Sequence, residues 1–119
     1  MWTYNQATGA LSRNDTPVAT GYSGFGDGKN NTAMENVPDQ GPLPRGVYSI
    51  GPPHDTPTHG PHVMALTPVD GTNTFGRSGF LIHGDSVEHP GTASHGCIIL
   101  PRAIRDQIAG SGDQQIQVV

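Results

Sequence analysis

The stretch GFLIHGDSVEHPGTASHGCIIL, residues 79–100, decides how the rest of the chain is read. Its ends are short apolar runs, GFLIHG (79–84) and CIIL (97–100), and its middle is polar and carries proline and glycine. Short apolar runs bounded by turn residues read as buried strands. Side chains alternate along a strand, so Phe80 and Ile82 face one way and Leu81 and His83 the other. Gly84 ends the first run. Directly after the second, PRAIRDQIAG (101–110) reads as a helix. Pro101 suits its first turn, Ile104 and Ile108 stand four apart on one face, and Gly110 suits its C-terminal cap.

Outward from this centre the same grammar repeats. QQIQVV (114–119) closes the chain as a strand. Upstream, HVMALTPV (62–69) and GVYSIGPP (46–53) are strands, the second stopped by Pro52-Pro53. HDTPTHGPH (54–62) and DGTNTFGRSG (70–79) read as loops. MWTYNQATGALSR (1–13) is a strand, a turn at residues 7–9 and a second strand, with Trp2 as a packing anchor. TPVATGYSGFG (16–26) is a strand running into a glycine-rich stretch. Residues 27–46, DGKNNTAMENVPDQGPLPRG, form a long polar connection ending in a proline-stiffened turn. A loop of that length in a compact domain is usually functional. The expected fold class is mainly β with one short helix.

Glycine (17) and proline (11) make up close to a quarter of the 119 residues, a composition shared by disordered chains and loop-rich β proteins. Low charge and organised apolar runs favour the second. The length fits one domain. Net charge is −4, with Lys29 the single lysine, so no nucleic-acid partner is expected. No apolar run approaches the roughly 20 residues of a membrane span. MWTYNQATG lacks the basic and apolar regions of a secretory signal, so synthesis in the cytoplasm without a signal peptide is expected. One cysteine cannot staple the fold.

That cysteine, Cys97, follows Ser94-His95-Gly96. A buried thiol is often only a small hydrophobe, but a glycine beside it allows a sharp turn and lets backbone amides point at a substrate oxygen. A cysteine nucleophile needs activation, because its ordinary pKa leaves little thiolate at neutral pH. A nearby imidazole takes the proton and holds the thiolate as an ion pair. His83, His89 and His95 are candidates. His83 is the expected base, because a strand positions a group better than a loop does. The carbonyl of Gly84, or Asp85, orients its ring. All six histidines precede Cys97, which disfavours papain-like cysteine peptidases, where the cysteine comes first.

Two other patterns lead to weaker readings. His54, His59 and His62 share a loop, but structural zinc sites usually include cysteines and no HExxH is present, so no metal is expected. GYSGFGDGKNN (21–31) lacks the GxxxxGK[ST] phosphate loop, since Asn30 follows Lys29. No organic cofactor is expected.

A histidine-glycine at a strand end, His83-Gly84, followed by a loop and Ser94-His95-Gly96-Cys97-Ile98, resembles the active-site motif of the L,D-transpeptidase (YkuD-like) superfamily. WTYNQATGALS, GYSGFGDGKNN and GPLPRGVYSIG, in that order, are similar to the small L,D-transpeptidase effectors of type VI secretion systems, and the likeness spans nearly the whole chain. It implies an L,D-transpeptidase-like β-sandwich and a single catalytic domain over residues 1–119. It implies Cys97 as nucleophile, His83 as general base, and an oxyanion hole from the amides of Gly96 and Cys97 helped by His95, with Ser94 holding the turn. Tyr22, Lys29, Asn30 and Asn31 would line the substrate groove. Many members carry an arginine two residues after the cysteine. Here Ile99 stands there, and the nearest arginine is Arg102.

The implied reaction is attack on the diamino acid carbonyl of a peptidoglycan stem tetrapeptide, release of the terminal D-alanine, and a thioester resolved by water, a D-amino acid or a second stem. The implied setting is an antibacterial toxin delivered to a rival's periplasm by a type VI secretion component and neutralised by an immunity protein. The competing readings are a non-catalytic peptidoglycan-binding module, a metal-dependent peptidase using the loop histidines, and a housekeeping cell-wall L,D-transpeptidase.

Overall fold

The computed structural model describes residues 1–69 and 71–119; Asp70, first residue of the expected loop 70–79, lies outside them. Ten strands and one α-helix follow in chain order. They are β1 (Trp2–Tyr4), β2 (Ala10–Arg13), β3 (Thr16–Thr20), β4 (Tyr22–Ser23), β5 (Gly46–Ile50), β6 (His54–Thr56), β7 (Gly60–Pro68), β8 (Leu81–His83), β9 (Ile98–Ile99), α1 (Arg102–Gly110) and β10 (Gln115–Val118). The protein is mainly β with one helix, as its apolar pattern implies. Pairing runs along one mixed sheet in the order β3-β2-β1-β10-β5-β7-β8-β9-β4, with β6 paired to β7 off that path.

Period-two burial explains the central strands. Ile116 and Val118 of β10 are buried while Gln115 and Gln117 are exposed, and Trp2 and Tyr4 of β1 are buried about a half-buried Thr3. β1 pairs in parallel with β10, so the two ends of the chain meet inside the sheet. β2 and β3 join through Asn14-Asp15, both left-handed (φ 50° and 67°), the two-residue turn whose twist matches a hairpin. Buried side chains from β1 and β2 near one end of the path and from β9 near the other share one core cluster, so the sheet curls over a common interior.

Residues 54–62 depart from the sequence reading. They form the β6–β7 hairpin and not a loop. β6 is an outlying strand with His54 and Asp55 exposed, so it carries no apolar alternation to reveal it. Pro57 and Pro61 disguise it further.

The strands that matter most are the shortest. β8 and β9 are parallel, in register Ile82↔Ile98 and His83↔Ile99. Parallel neighbours need a crossover of about a dozen residues or more, which residues 84–97 supply. Because β8 has only three residues and β9 two, the end of one and the start of the other stay close. Phe80 and Ile82 enter the core as alternation requires. After β9 the chain turns into α1, with Pro101 as N-cap rather than first helical residue. Its stop is Ser111 at the cap, followed by Gly112 in a left-handed conformation (φ 73°), one turn position later than Gly110 implies.

Candidate active site

Cys97 and His83 open on one cleft of about 300 Å³, also lined by His95, Gly96, Arg77 and His59. A wider cleft of about 680 Å³ continues past His83, His59 and His95 toward Gly84, Asp85 and Arg105.

His83 is 3 % exposed. Its Nδ1 lies 2.8 Å from the Gly84 carbonyl oxygen. A carbonyl only accepts, so Nδ1 carries the proton and Nε2 is left unprotonated. Nε2 is buried and has no hydrogen-bond partner among the described residues. Of the two proposed orienting groups, the Gly84 carbonyl holds the ring. The Asp85 carboxylate instead accepts from the Tyr22 hydroxyl (2.6 Å) and from the amides of Ser86 and Gly91 (2.8 and 3.1 Å), fixing the crossover loop. Burial pushes the Asp85 carboxyl up, and these bonds more than reverse it, leaving it below its ordinary value.

Burial also sets the charge state of the pair. It lowers the His83 pKa, partly offset by the Gly84 bond, with His59 and Arg105 lowering it further. It raises the Cys97 thiol, against the Leu81 backbone amide and the Arg77 guanidinium. Both shifts favour neutral thiol and neutral imidazole at rest. Those directions run against the thiolate–imidazolium ion pair expected from sequence.

Ser94 is fully buried and clamps the turn that carries Cys97. Its hydroxyl donates to the Cys97 carbonyl (2.6 Å) and accepts from the amides of Gly24 (2.9 Å) and Gly96 (3.2 Å). The Gly96 amide, expected in an oxyanion hole, is here engaged by the Ser94 hydroxyl. Gly96 has φ 133°, and a Cβ on it would lie 2.6 Å from Nη2 of Arg77. Only glycine fits there.

His95 is exposed, stacked on Phe25 (centroids 5.1 Å apart), with Nδ1 3.0 Å from the Asp39 carbonyl. That carbonyl only accepts, so Nδ1 donates to it and the ring is held at the cleft. His89 is exposed in the crossover loop.

Arg77 is the residue that sequence reading missed. It is 9 % exposed and donates to the carbonyls of Glu35, Pro42, Gly41 and His95. It thereby joins the 27–46 connection to the nucleophile turn. A lone arginine in a glycine-rich loop, with carbonyl-rich loops elsewhere, is the only signal it leaves in the sequence. His59 was also missed; its ring lies 4.8 Å from that of His83, because the β6–β7 hairpin carries it there.

The loop histidines do not converge. His54 Nδ1 approaches the Pro52 carbonyl, His59 faces His83, and His62 lies 3.0 Å from Asp106. No group of three metal-ligating side chains is found among the described residues.

The four residues expected in a substrate groove lie outside the Cys97 cleft. Asn30 accepts from the Ser23 amide, Asn31 caps a short helical turn at Thr32–Met34, and Lys29 covers the Tyr22 ring at 4.5 Å. Tyr22, its hydroxyl pushed up to about 12 by burial and by Asp85, lines a separate recess with Arg102. Arg102 is exposed and bridges to Asp106 one helical turn on.

A buried cysteine and a histidine with an unpartnered ring nitrogen, lining one cleft on a curled β sheet with one helix, are the parts of a cysteine acyl-transfer site. Residues 17–118 match the Tlde1 domain model, and the chain belongs to that family of type VI secretion L,D-transpeptidase effector domains. No curated protein matches the chain. Among the described residues no helix is long and apolar enough to cross a membrane.

Proposed function

We propose that the protein is an antibacterial, peptidoglycan-modifying effector, a cysteine-dependent L,D-carboxypeptidase and L,D-transpeptidase of stem tetrapeptides within the L,D-transpeptidase (YkuD-like) group. The observation that carries this reading is the buried, unpartnered Nε2 of His83, a residue that lines the same cleft as Cys97. An unpaired buried acceptor is costly unless a reaction partner supplies the proton it lacks.

Cys97 Sγ attacks the carbonyl of the diamino acid as Nε2 of His83 takes the thiol proton. The carbonyl oxygen gains the charge and accepts from the Cys97 amide. Collapse of this intermediate breaks the C–N bond, and imidazolium Nε2–H protonates the departing amine of D-alanine. The thioester is then attacked by water, by the amine of a D-amino acid or by that of a second stem. The incoming group loses a proton to Nε2, and the sulfur leaves and recovers it. Neutral resting groups suit this route, because neither step needs a standing ion pair.

Residues 1–119 act as one catalytic unit in this reading. β1 precedes the matched region yet sits between β2 and β10, with Trp2 and Tyr4 in the core. Family membership supports the setting: delivery by a type VI component, action in the target periplasm, and a cognate immunity protein over the cleft. Incubation with disaccharide-tetrapeptide, followed by mass spectrometry, tests the chemistry. Loss of the terminal D-alanine, and its replacement when another D-amino acid is in excess, is expected. An unchanged peptide with folded protein would end this reading.

A further inference from the structure

Two arginines are buried beside the clefts, and their hydrogen bonds are distributed differently. Arg77 spends both terminal nitrogens on backbone carbonyls. Arg105, 6 % exposed on α1, donates from Nε to the Leu100 carbonyl (3.1 Å) and from Nη1 to the carbonyls of Pro61 (2.8 Å) and His62 (3.0 Å). Its Nη2 has no acceptor among the described residues. That nitrogen lies against Gly84, where a Cβ would stand 2.8 Å from it. Gly84 follows the proposed base and orients its ring. Arg105 and Gly84 line both the wide cleft that contains His83 and the recess on the far side of Gly84.

No carboxylate lies within 4.0 Å of Arg105 among the described residues. Asp85 is held by Tyr22 and two amides, and Asp106 pairs with Arg102 and His62. The guanidinium is thus held by three carbonyls, and Nη2, on a residue that lines the cleft, is its one nitrogen without an acceptor among the described residues. A planar, permanently charged donor held in this way suits a carboxylate, through charge-assisted bonds. Arg102, exposed and paired on its own helix, lacks that preorganisation.

We infer that Arg105 is a positioning residue that anchors a carboxylate of the substrate in the wide cleft beside His83, through Nη2. The inference rests on the acyl-transfer reading above. A stem tetrapeptide offers two carboxylates near the scissile bond: that of the terminal D-alanine and, where the diamino acid carries one, that of its side chain.

Three peptides separate the sources: the free disaccharide-tetrapeptide, its terminal carboxamide, and its side-chain carboxamide. Steady-state release of D-alanine or D-alaninamide by wild-type protein should fall roughly 10–100-fold in kcat/KM for one amide, mostly through KM. Arg105→Gln should lower kcat/KM for the free acid by a similar factor and add little loss on that amide, and Arg105→Lys should recover part of it. Calorimetric binding of the three peptides to Cys97→Ala protein repeats the comparison without turnover and needs no change at Arg105. Equal binding of all three, or an Arg105→Gln defect of the same size on every peptide, would overturn the anchor. Selective binding with no release of D-alanine by wild type would instead overturn the acyl-transfer chemistry and leave the anchor standing.

Discussion

His83 ends a strand, is buried, and rests its Nδ1 on the carbonyl of the very next residue. His95 stands across the same cleft, exposed, with Nδ1 on the Asp39 carbonyl and its ring on Phe25, both in the long segment before β5. One ring is set by local backbone; the other depends on a segment distant in sequence, which Arg77 and Ser94 tie to the nucleophile turn. Strand-held groups keep their geometry when loops move, so the two histidines should respond differently to perturbation.

The largest effect is expected at the strand-held ring. His83→Gln should lower kcat by about 10²–10⁴ with little change in melting temperature; a loss under tenfold would move the base elsewhere. Gly96→Ala comes next. It forces a side chain onto a left-handed φ and against Arg77, and should cost about 1–3 kcal/mol by denaturant melts along with most of the activity. An unaffected melt would show that the turn and Arg77 are not locked together. Phe25→Ala should act only through His95, lowering kcat by about tenfold or less, with no further loss in a His95→Ala background. His89→Ala should change nothing measurable, and a loss comparable to that of His83→Gln would break the division between the two regions.

The pH dependence separates the regions too. The His83 pKa is held below its ordinary 6.5, so the unfolded chain takes up a proton before the folded one does. Its contribution to stability is full above about 6.5 and is lost as pH falls through the lowered folded value. kcat/KM should keep its acid limb below 6.5 for the same reason. Alkylation of Cys97 should rise only above the ordinary thiol range, since burial raises that group; a reactive thiolate at pH 6 would restore the ion pair.

What the sequence made legible follows from range. β8, β9, α1 and the meeting of His83 and Cys97 at one cleft are written in one short stretch, with alternation, proline and glycine marking its limits. Arg77 and Arg105 were not legible, because their partners are backbone carbonyls, which every residue supplies and no motif records. β6 escaped because an outlying strand buries too little to alternate. The orientations of the His83 and His95 rings are set by single carbonyls that only the folded chain brings into place.

The account's central claim is that Cys97 carries the acyl group. D-alanine release from disaccharide-tetrapeptide by Cys97→Ala protein, matched to wild type in melting temperature, tests it most directly. No release from the variant is predicted, against steady release by wild type. Release from the variant at the wild-type rate would contradict it.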